Sequence, residues 1–427
     1  MSIPLPLTDA PVAGLAGGIR FRHWALVVLL ALGTLNALDG MVMAALITPV
    51  KAALGLSDQA IGVVVSVTTL AGIVGAPLFG VLAGRVARRT LLAVAAVIWS
   101  LTSAGAALAD GVLALLLWRG LTGFATAAYH ALVPGWLADL YDSRGRSVVF
   151  SLFMLRNKVG SALAFGLGAA LAAHYDWHVA FLATGLPGVI LALAVLTLRE
   201  PKPGEADGVK VAARAPTLRE QARILKIGAF KVHLVALVFF YAGVTTAQLW
   251  FPAYLHRVYG ISNQAAAGYL SIVMMATLPV GVVGGWLTGK YLVPRATGVA
   301  ASLAISSGLA AVLFVGAFAT RSLPLAQALA AAAIVAFGAT AGSLTLLAVE
   351  TVPPAARSFA GSLAALISTG ISGGVAPWLL GVLSDRYGLP TAIYLGPACY
   401  ALAALVWGWA VLRGVSSKAI SYQGVPS

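Results

Sequence analysis

Long apolar runs separated by short polar breaks recur along the whole chain. A helix needs about 20 apolar residues to cross a membrane, and each run approaches or exceeds that length. The pattern predicts an all-α membrane protein with twelve spanning helices, at residues 23–47, 60–82, 90–109, 112–137, 147–172, 178–198, 232–255, 265–288, 296–319, 324–349, 358–383 and 391–412. The least marked break is Ala109-Asp110-Gly111, between the third and fourth runs.

Composition points to lipid as the solvent of this chain. Of 427 residues, 60% are hydrophobic and 9% are charged, and the mean hydropathy is +0.95. A soluble domain carries roughly 25% charged residues. The single cysteine, Cys399, excludes an internal disulfide. Residues 1–18 lack the basic n-region of a cleavable signal, and the first run is long enough to remain as a span.

The formal charge of +14 is mainly topological. With the N-terminus assigned to the cytoplasm, 20 of the 27 Lys and Arg residues fall on the cytoplasmic side, four fall outside and three lie within spans. This bias is the positive-inside signature. It predicts that both termini are cytoplasmic, favours a bacterial inner membrane and argues against a nucleic-acid partner.

The chain contains an internal repeat. Residues 55–60 (GLSDQA) and 260–265 (GISNQA) precede the second and eighth spans, and Gly80-x-x-x-Gly84-Arg85 returns as Gly285-x-x-x-Gly289-Lys290 at the same offset of 205. Two parallel six-helix repeats are typical of secondary transporters, with substrate bound between the halves. We therefore predict an N-terminal bundle at 1–198, a cytoplasmic linker at 199–230 and a C-terminal bundle at 231–427.

Two motifs resemble the signatures of the major facilitator superfamily. Gly80-Val-Leu-Ala-Gly84-Arg85-Val-Ala-Arg88-Arg89 is similar to its loop G-x-x-x-D-R-x-x-R-R between helices 2 and 3, and Arg119-Gly-Leu-Thr-Gly123 is similar to its helix 4 signature R-x-x-x-G. The resemblance implies a gating role for Gly80, Arg85, Arg88 and Arg89. The family's Asp is Gly84 here, which puts the electrostatic latch of that loop in doubt.

Within the superfamily, the best resemblance is to spinster-like transporters. It rests on Leu35-Asn36-Ala37-Leu38-Asp39, Gly55-Leu56-Ser57-Asp58, Val159-Gly160-Ser161-Ala162-Leu163 and Leu198-Arg199-Glu200-Pro201, so it covers mainly the first 200 residues. It implies transport of lysophospholipids, sphingoid phosphates or related amphiphiles, with proton coupling. Two family charges are missing, because Gly40 stands in place of an Arg and Thr126 in place of an acid.

Asp39 is the only acid of thirteen that lies well inside a predicted span. A carboxylate at mid-membrane depth costs a few kcal/mol unless it is paired, hydrated or protonated. We expect it to carry protons or to balance substrate charge, with Arg119 as its partner. The alternative is a structural ion pair with an Arg of a neighbouring helix.

Three cations lie within the spans of the first half: Arg119, Arg156 and Lys158. Arg156 and Lys158 are two residues apart, about 200° around the helix, so they point in different directions. We expect Arg156 to accompany Arg119 in the cavity and Lys158 to reach toward headgroups. The surplus of positive charge predicts an anionic substrate. The alternative is that backbone carbonyls line some of these cations.

Polar and aromatic side chains complete the predicted site. His130 is a candidate for proton relay, with a satisfied histidine as the alternative. Asn36, Thr126 and Tyr129 are expected to line the cavity from the first half. Tyr241 and Gln248 are candidate substrate contacts from the second half, with ordinary hydrogen bonding between helices as the alternative.

Other function classes lack support in the sequence. No Walker A sequence and no His/Cys metal cluster is present, so we predict no cofactor and no enzymatic activity. We predict a monomeric secondary transporter, with protons, membrane lipids and a small anionic or amphiphilic solute as its partners. The alternatives are a proton-coupled symporter of organic acids and, from another class, a channel or membrane-embedded enzyme.

Overall fold

The computed structural model describes residues 19–141, 143–201, 206, 223–295, 297–352 and 357–414. These residues form helices and turns, with no strand among them. The helices are α1 Ile19–Leu54, α2 Asp58–Leu82, α3 Arg88–Gly105, α4 Val112–Leu140, α5 Ser143–Leu163, α6 Ala169–His174, α7 Trp177–Gly185, α8 Pro187–Leu196, α9 Gly228–Tyr259, α10 Asn263–Leu287, α11 Gly298–Ala319, α12 Leu323–Gly338, α13 Ala341–Glu350, α14 Arg357–Gly374, α15 Ala376–Tyr387, α16 Leu389–Ala392 and α17 Leu395–Leu412.

Ten of the twelve predicted spans meet a length and hydropathy test for crossing a membrane within the described part of the chain. The other two are also helical. One is α5, which continues through a π-turn into α6 and is made more polar by Arg156, Asn157 and Lys158. The other is α14 with α15, which is interrupted between Gly374 and Ala376. All twelve apolar runs are therefore helices.

The predicted linker is only partly visible. Residues 202–205 and 207–222 lie outside the described residues, as do both chain termini. Within the predicted linker, Arg223–Lys226 forms a 3₁₀ turn. The next helix begins at Gly228, four residues before the span predicted at 232–255.

The repeated hexapeptide builds the same corner twice. Gly55 and Gly260 have φ of +62° and +68°, the left-handed region that glycine adopts without a steric penalty where a helix ends. Two residues later, Ser57 and Ser262 each accept a hydrogen bond of 3.1 Å from a backbone N–H in the first turn of the next helix. The 205-residue repeat is thus a helix stop followed by a helix start.

Glycines bring helices close both within and between the halves. A Cβ added at Gly123 of α4 would overlap the backbone of Thr68 in α2, and one at Gly284 would overlap the backbone of Ala339. Between the halves, a Cβ at Gly62 of α2 would overlap Pro377 of α15. Small residues at these positions allow close van der Waals packing, which drives helix association in lipid.

Candidate functional site

A buried ion pair joins α1 to α4. Nη1 of Arg119 lies 3.2 Å from Oδ1 and 3.4 Å from Oδ2 of Asp39, and Nη2 donates to the Asp39 carbonyl oxygen at 3.2 Å. Ser103 of α3 donates to the same carboxylate. Both charged residues are 2% exposed. The expected pairing of Asp39 with Arg119 is present, and it links three helices of the first half.

The ion pair lies close to accessible space. The next residue after Asp39, Gly40, is exposed, and a Cβ added there would meet no atom within 4 Å. On the other side, the Arg119 guanidinium lies 5.9 Å from the ring centre of Phe181, and its Nε has no hydrogen-bond partner. Gly40 therefore leaves open the position where the resemblance would have placed a second Arg.

Arg156 of α5 is a buried cation without a carboxylate. It is 4% exposed, and among the described residues no Asp or Glu comes within ion-pair distance of it. Its guanidinium carbon lies 4.1 Å from the ring centre of Phe153 and 4.7 Å from that of Tyr129. Nη1 donates to the Gly33 carbonyl at 3.3 Å and to Asn157 Oδ1 at 2.7 Å, whereas Nε is unpaired.

Arg156 and Arg119 reach different levels of α1. Arg119 contacts Asp39, whereas Arg156 contacts Gly33, six residues earlier and about 9 Å away along the helix axis. The two cations thus contact different points of the same helix, one neutralised by a carboxylate and one not. Lys158 is partly buried, and its reach toward headgroups stays a prediction.

The other predicted site residues differ in what they contact. Tyr129 is buried, and its hydroxyl donates to the Leu29 carbonyl at 2.8 Å. His130 is exposed, and its ring meets that of Tyr129 edge-on at 5.8 Å. Asn36 is buried one turn before Asp39. Thr126 donates to the Gly123 carbonyl of its own helix at 2.9 Å, which is a structural bond.

Tyr241 and Gln248 lie on α9, and both are partly buried. The Tyr241 ring packs edge-on against Phe240 at 5.6 Å. Their role as substrate contacts stays a prediction.

One residue of the signature loop, Arg88, forms ion pairs at the predicted inner end of the first half. Nη1 of Arg88 lies 2.7 Å from Oδ2 of Asp139, and its Nε lies 3.5 Å from Oε1 of Glu200. Gly80, Arg85 and Arg89 are exposed. Arg88 thus joins α3 to the ends of α4 and α8 within one half, and a gating role for the loop stays a prediction.

A charge cluster that was not predicted joins the two halves at the predicted outer end. We call Lys51, Asp58, Arg257, Ser384 and Asp385 the outer cluster. The Asp58 carboxylate accepts from Arg257 Nη1 at 2.5 Å and Nη2 at 2.7 Å, from Lys51 at 2.5 Å and from Ser384 at 2.5 Å. Asp385 accepts from the backbone N–H groups of Asp58 and Gln59 at 2.9 and 2.8 Å.

A buried histidine in the second half was also missed. Trp407 Nε1 lies 3.2 Å from Nδ1 of His233, and Nε2 of His233 lies 3.0 Å from the Leu344 carbonyl. An indole N–H only donates and a carbonyl only accepts, so the pattern fixes a neutral imidazole with its proton on Nε2. His233 therefore fastens α9 to α13 and α17.

No group of three or more His, Cys, Asp or Glu side chains that would hold a metal ion occurs within the described ranges.

Comparisons with known proteins identify the family. The model of the Major Facilitator Superfamily matches residues 28–377. The chain belongs to this superfamily. It is an integral membrane protein and a spinster-like transporter, as the motifs of the first half predicted.

Among its relatives, Protein spinster homolog 1 of Xenopus tropicalis is 27% identical over 401 residues, which cover 88% of this chain and 75% of the relative. Sphingosine-1-phosphate transporter SPNS2 of Mus musculus is 28% identical over 244 residues, 56% of this chain and only 44% of that protein. A crystal structure of a bacterial homolog to the human lysosomal transporter Spinster, inward-facing and occupied, superposes with a TM-score of 0.82 at 19% identity, covering 93% of this chain and 99% of that one.

Proposed function

We propose that the protein is a proton-coupled transporter of an anionic amphiphile, such as a lysophospholipid or a phosphorylated sphingoid base. The observation that carries the proposal is the contrast between its two buried arginines. Arg119 is neutralised by Asp39, whereas Arg156 has no counter-charge among the described residues. An anionic headgroup would supply the missing charge.

The energetics favour an anion at Arg156. Leaving a buried charged donor unpaired costs more than the roughly 1–3 kcal/mol of a neutral group. The rings of Tyr129 and Phe153 offset part of this cost, since a cation over an aromatic face gains about 0.5–2 kcal/mol. A phosphate or carboxylate can accept two parallel bonds from a guanidinium, so it binds more strongly than a neutral ligand.

Asp39 is our proposed proton carrier. A proton on its carboxyl group removes the charge that holds Arg119, while Ser103 and the backbone carbonyl remain as hydrogen-bond partners. Proton uptake and release would then change how firmly α1 is tied to α4. We propose His130 of α4 as the relay.

The name of one relative, a sphingosine-1-phosphate transporter, supports a lipid-like substrate. An organic-acid symporter would bind its substrate at the same Arg156. It would differ in accepting anions that have no apolar tail. Thermal stabilisation of purified protein by lysophospholipids, sugar acids and simple carboxylates separates the two. Stabilisation only by neutral or cationic compounds would overturn the charge argument.

Transport in proteoliposomes tests the assignment of roles. We expect uptake to saturate and to follow the pH gradient, which distinguishes a coupled carrier from a channel. Asp39→Asn should abolish the response to the pH gradient. Arg156→Gln should raise the substrate concentration at half-maximal uptake by tenfold or more, because the loss of a charge-assisted bond is worth about 1.5–3 kcal/mol.

Two controls make the test specific. Arg156→Lys keeps the charge but loses the planar fork, so it should fall between Arg156→Gln and the wild type. An Asp39→Asn variant that kept full proton-driven uptake would refute the carrier role. An Arg156→Gln variant with unchanged uptake would refute anion recognition at this position.

A further inference from the structure

A groove opens on the second half at the predicted inner end, away from both buried arginines. It lies between the end of α10, the first three turns of α11 and the break between α12 and α13. Its volume is about 540 Å³, within the range of sites that hold one small molecule. The residues that matter below are Arg295, Ser302, Ile305, Ser306, Leu309 and Thr340.

A tight turn sets Arg295 at the mouth of the groove. The Arg295 N–H donates to the Leu292 carbonyl at 3.0 Å, and the Gly298 N–H donates to the Arg295 carbonyl at 3.1 Å. A Cβ at Gly298 would overlap the Leu292 carbonyl oxygen, so glycine permits this turn. Arg295 is exposed, and no carboxylate of the described residues lies within ion-pair distance of it.

The chemistry of the groove changes with depth. Beyond Arg295 come hydroxyl groups, of which Ser306 and Thr340 lie 3.0 Å apart across α11 and the α12–α13 break. Alongside and beyond them are aliphatic side chains that are exposed although they lie within a predicted span. Ile305 is 71% exposed and Leu309 is 48% exposed. Such side chains on a spanning helix face acyl chains.

We propose that this groove binds an anionic glycerophospholipid of the predicted inner leaflet. The groove offers its groups in the order in which a phospholipid needs them. The cation matches the phosphate, the hydroxyl groups match the glycerol ester region, and the aliphatic surface matches an acyl chain. From Ser302 to Leu309 the groove runs about 10 Å along α11, at 1.5 Å per residue. The site shares none of its lining residues with the Asp39–Arg119 pair or with Arg156, so a lipid bound there does not contact these charged groups.

Native mass spectrometry of the purified protein tests the proposal, with phosphatidylglycerol and phosphatidylcholine of equal chain length added in parallel. We expect the first phosphatidylglycerol to bind about fivefold more tightly than the first phosphatidylcholine. An exposed ion pair contributes up to about 1 kcal/mol, and 1.4 kcal/mol corresponds to a tenfold change in affinity. Arg295→Gln should remove this preference. Arg413→Gln, which removes another exposed cation from the same end of the same half, should keep it.

A second variant tests the groove itself. Ile305→Trp places a large ring over the aliphatic floor from an exposed position, so the fold should persist while both lipids bind several-fold more weakly. The proposal is overturned if Arg295→Gln keeps the wild-type preference, or if Ile305→Trp binds both lipids as the wild type does.

Discussion

The outer cluster should control which way the protein opens, and Asp58→Asn is the perturbation that tests this. Three of the groups that Asp58 contacts, Arg257, Ser384 and Asp385, belong to the other half, whereas Lys51 belongs to its own half. Only the contacts across the halves are lost when the outer end opens. They alone bias the equilibrium between the closed and open outer end.

The magnitude follows from the two bonds of Arg257. Hydrogen bonds to a charged group contribute about 1.5–3 kcal/mol, and an amide oxygen retains roughly half of that. Arg257 donates once to each carboxylate oxygen, and an amide keeps only one of these two acceptors. The loss of one such bond is expected to weaken the closed outer end by at least about 2 kcal/mol in Asp58→Asn. This corresponds to roughly a 30-fold shift toward the open outer end, at 1.4 kcal/mol per tenfold.

Spin-label distances measure the shift. Ala53 and Arg321 are exposed at the predicted outer ends of the two halves, and a Cys at each position carries one label. The native Cys399 is the only cysteine of the chain, and its replacement by Ala leaves a clean background. We expect a longer distance to gain population in Asp58→Asn.

Asp110 supplies the matched control. It is an exposed acid at the same end of the first half with no partner of opposite charge among the described residues. Asp110→Asn therefore removes the same charge without breaking a contact between the halves. Its distance distribution should match that of the wild type. If Asp58→Asn also left the distribution unchanged, the outer cluster would not hold the halves closed.

Three further predictions concern stability, measured by thermal unfolding in detergent. Asp39→Asn should lower the free energy of unfolding by about 2–4 kcal/mol, because it leaves Arg119 without its counter-charge. Adding Arg119→Gln to this variant should recover most of the loss, whereas an equal loss in the single and the double variant would contradict pairing. Gly123→Ala should prevent folding because its methyl group would overlap the Thr68 backbone. Gly120→Ala should fold, because its methyl group would meet only a side-chain atom of Val67, at 3.3 Å. His233→Leu should cost about 1–3 kcal/mol through its two unpaired partners, and a neutral result would refute their role.

The sequence predicted the helices and the central ion pair because both rest on strong local signals. Spanning helices follow from apolar length alone, and a lone acid such as Asp39 needs a buried partner, for which few cations are available. The repeated corners at Gly55 and Gly260 were visible for the same reason, since their glycine and serine positions have fixed backbone roles.

What the sequence left undetermined depends on contacts between distant segments. Asp58 falls outside the predicted spans, and only the packing of the two halves shows that it meets Arg257 of α9, 199 residues away. His233 was overlooked because its two partners lie on α13 and α17, far along the chain. Arg156 was expected to accompany Arg119 in the cavity, and only the packing of α5 against α1 shows that it contacts Gly33, at a different level of α1 from Asp39.

The three buried side chains Asp39, Arg119 and Arg156 together hold one net positive charge. Moving one elementary charge through 100 mV of membrane voltage is worth about 2.3 kcal/mol. With a monoanion bound at Arg156, this group of side chains is electrically neutral. A proton on Asp39 restores one positive charge, so a protein that carries both the anion and the proton has the same charge as the empty protein, and voltage acts on both. The voltage dependence of the transport rate therefore reports whether the proton moves together with the anion.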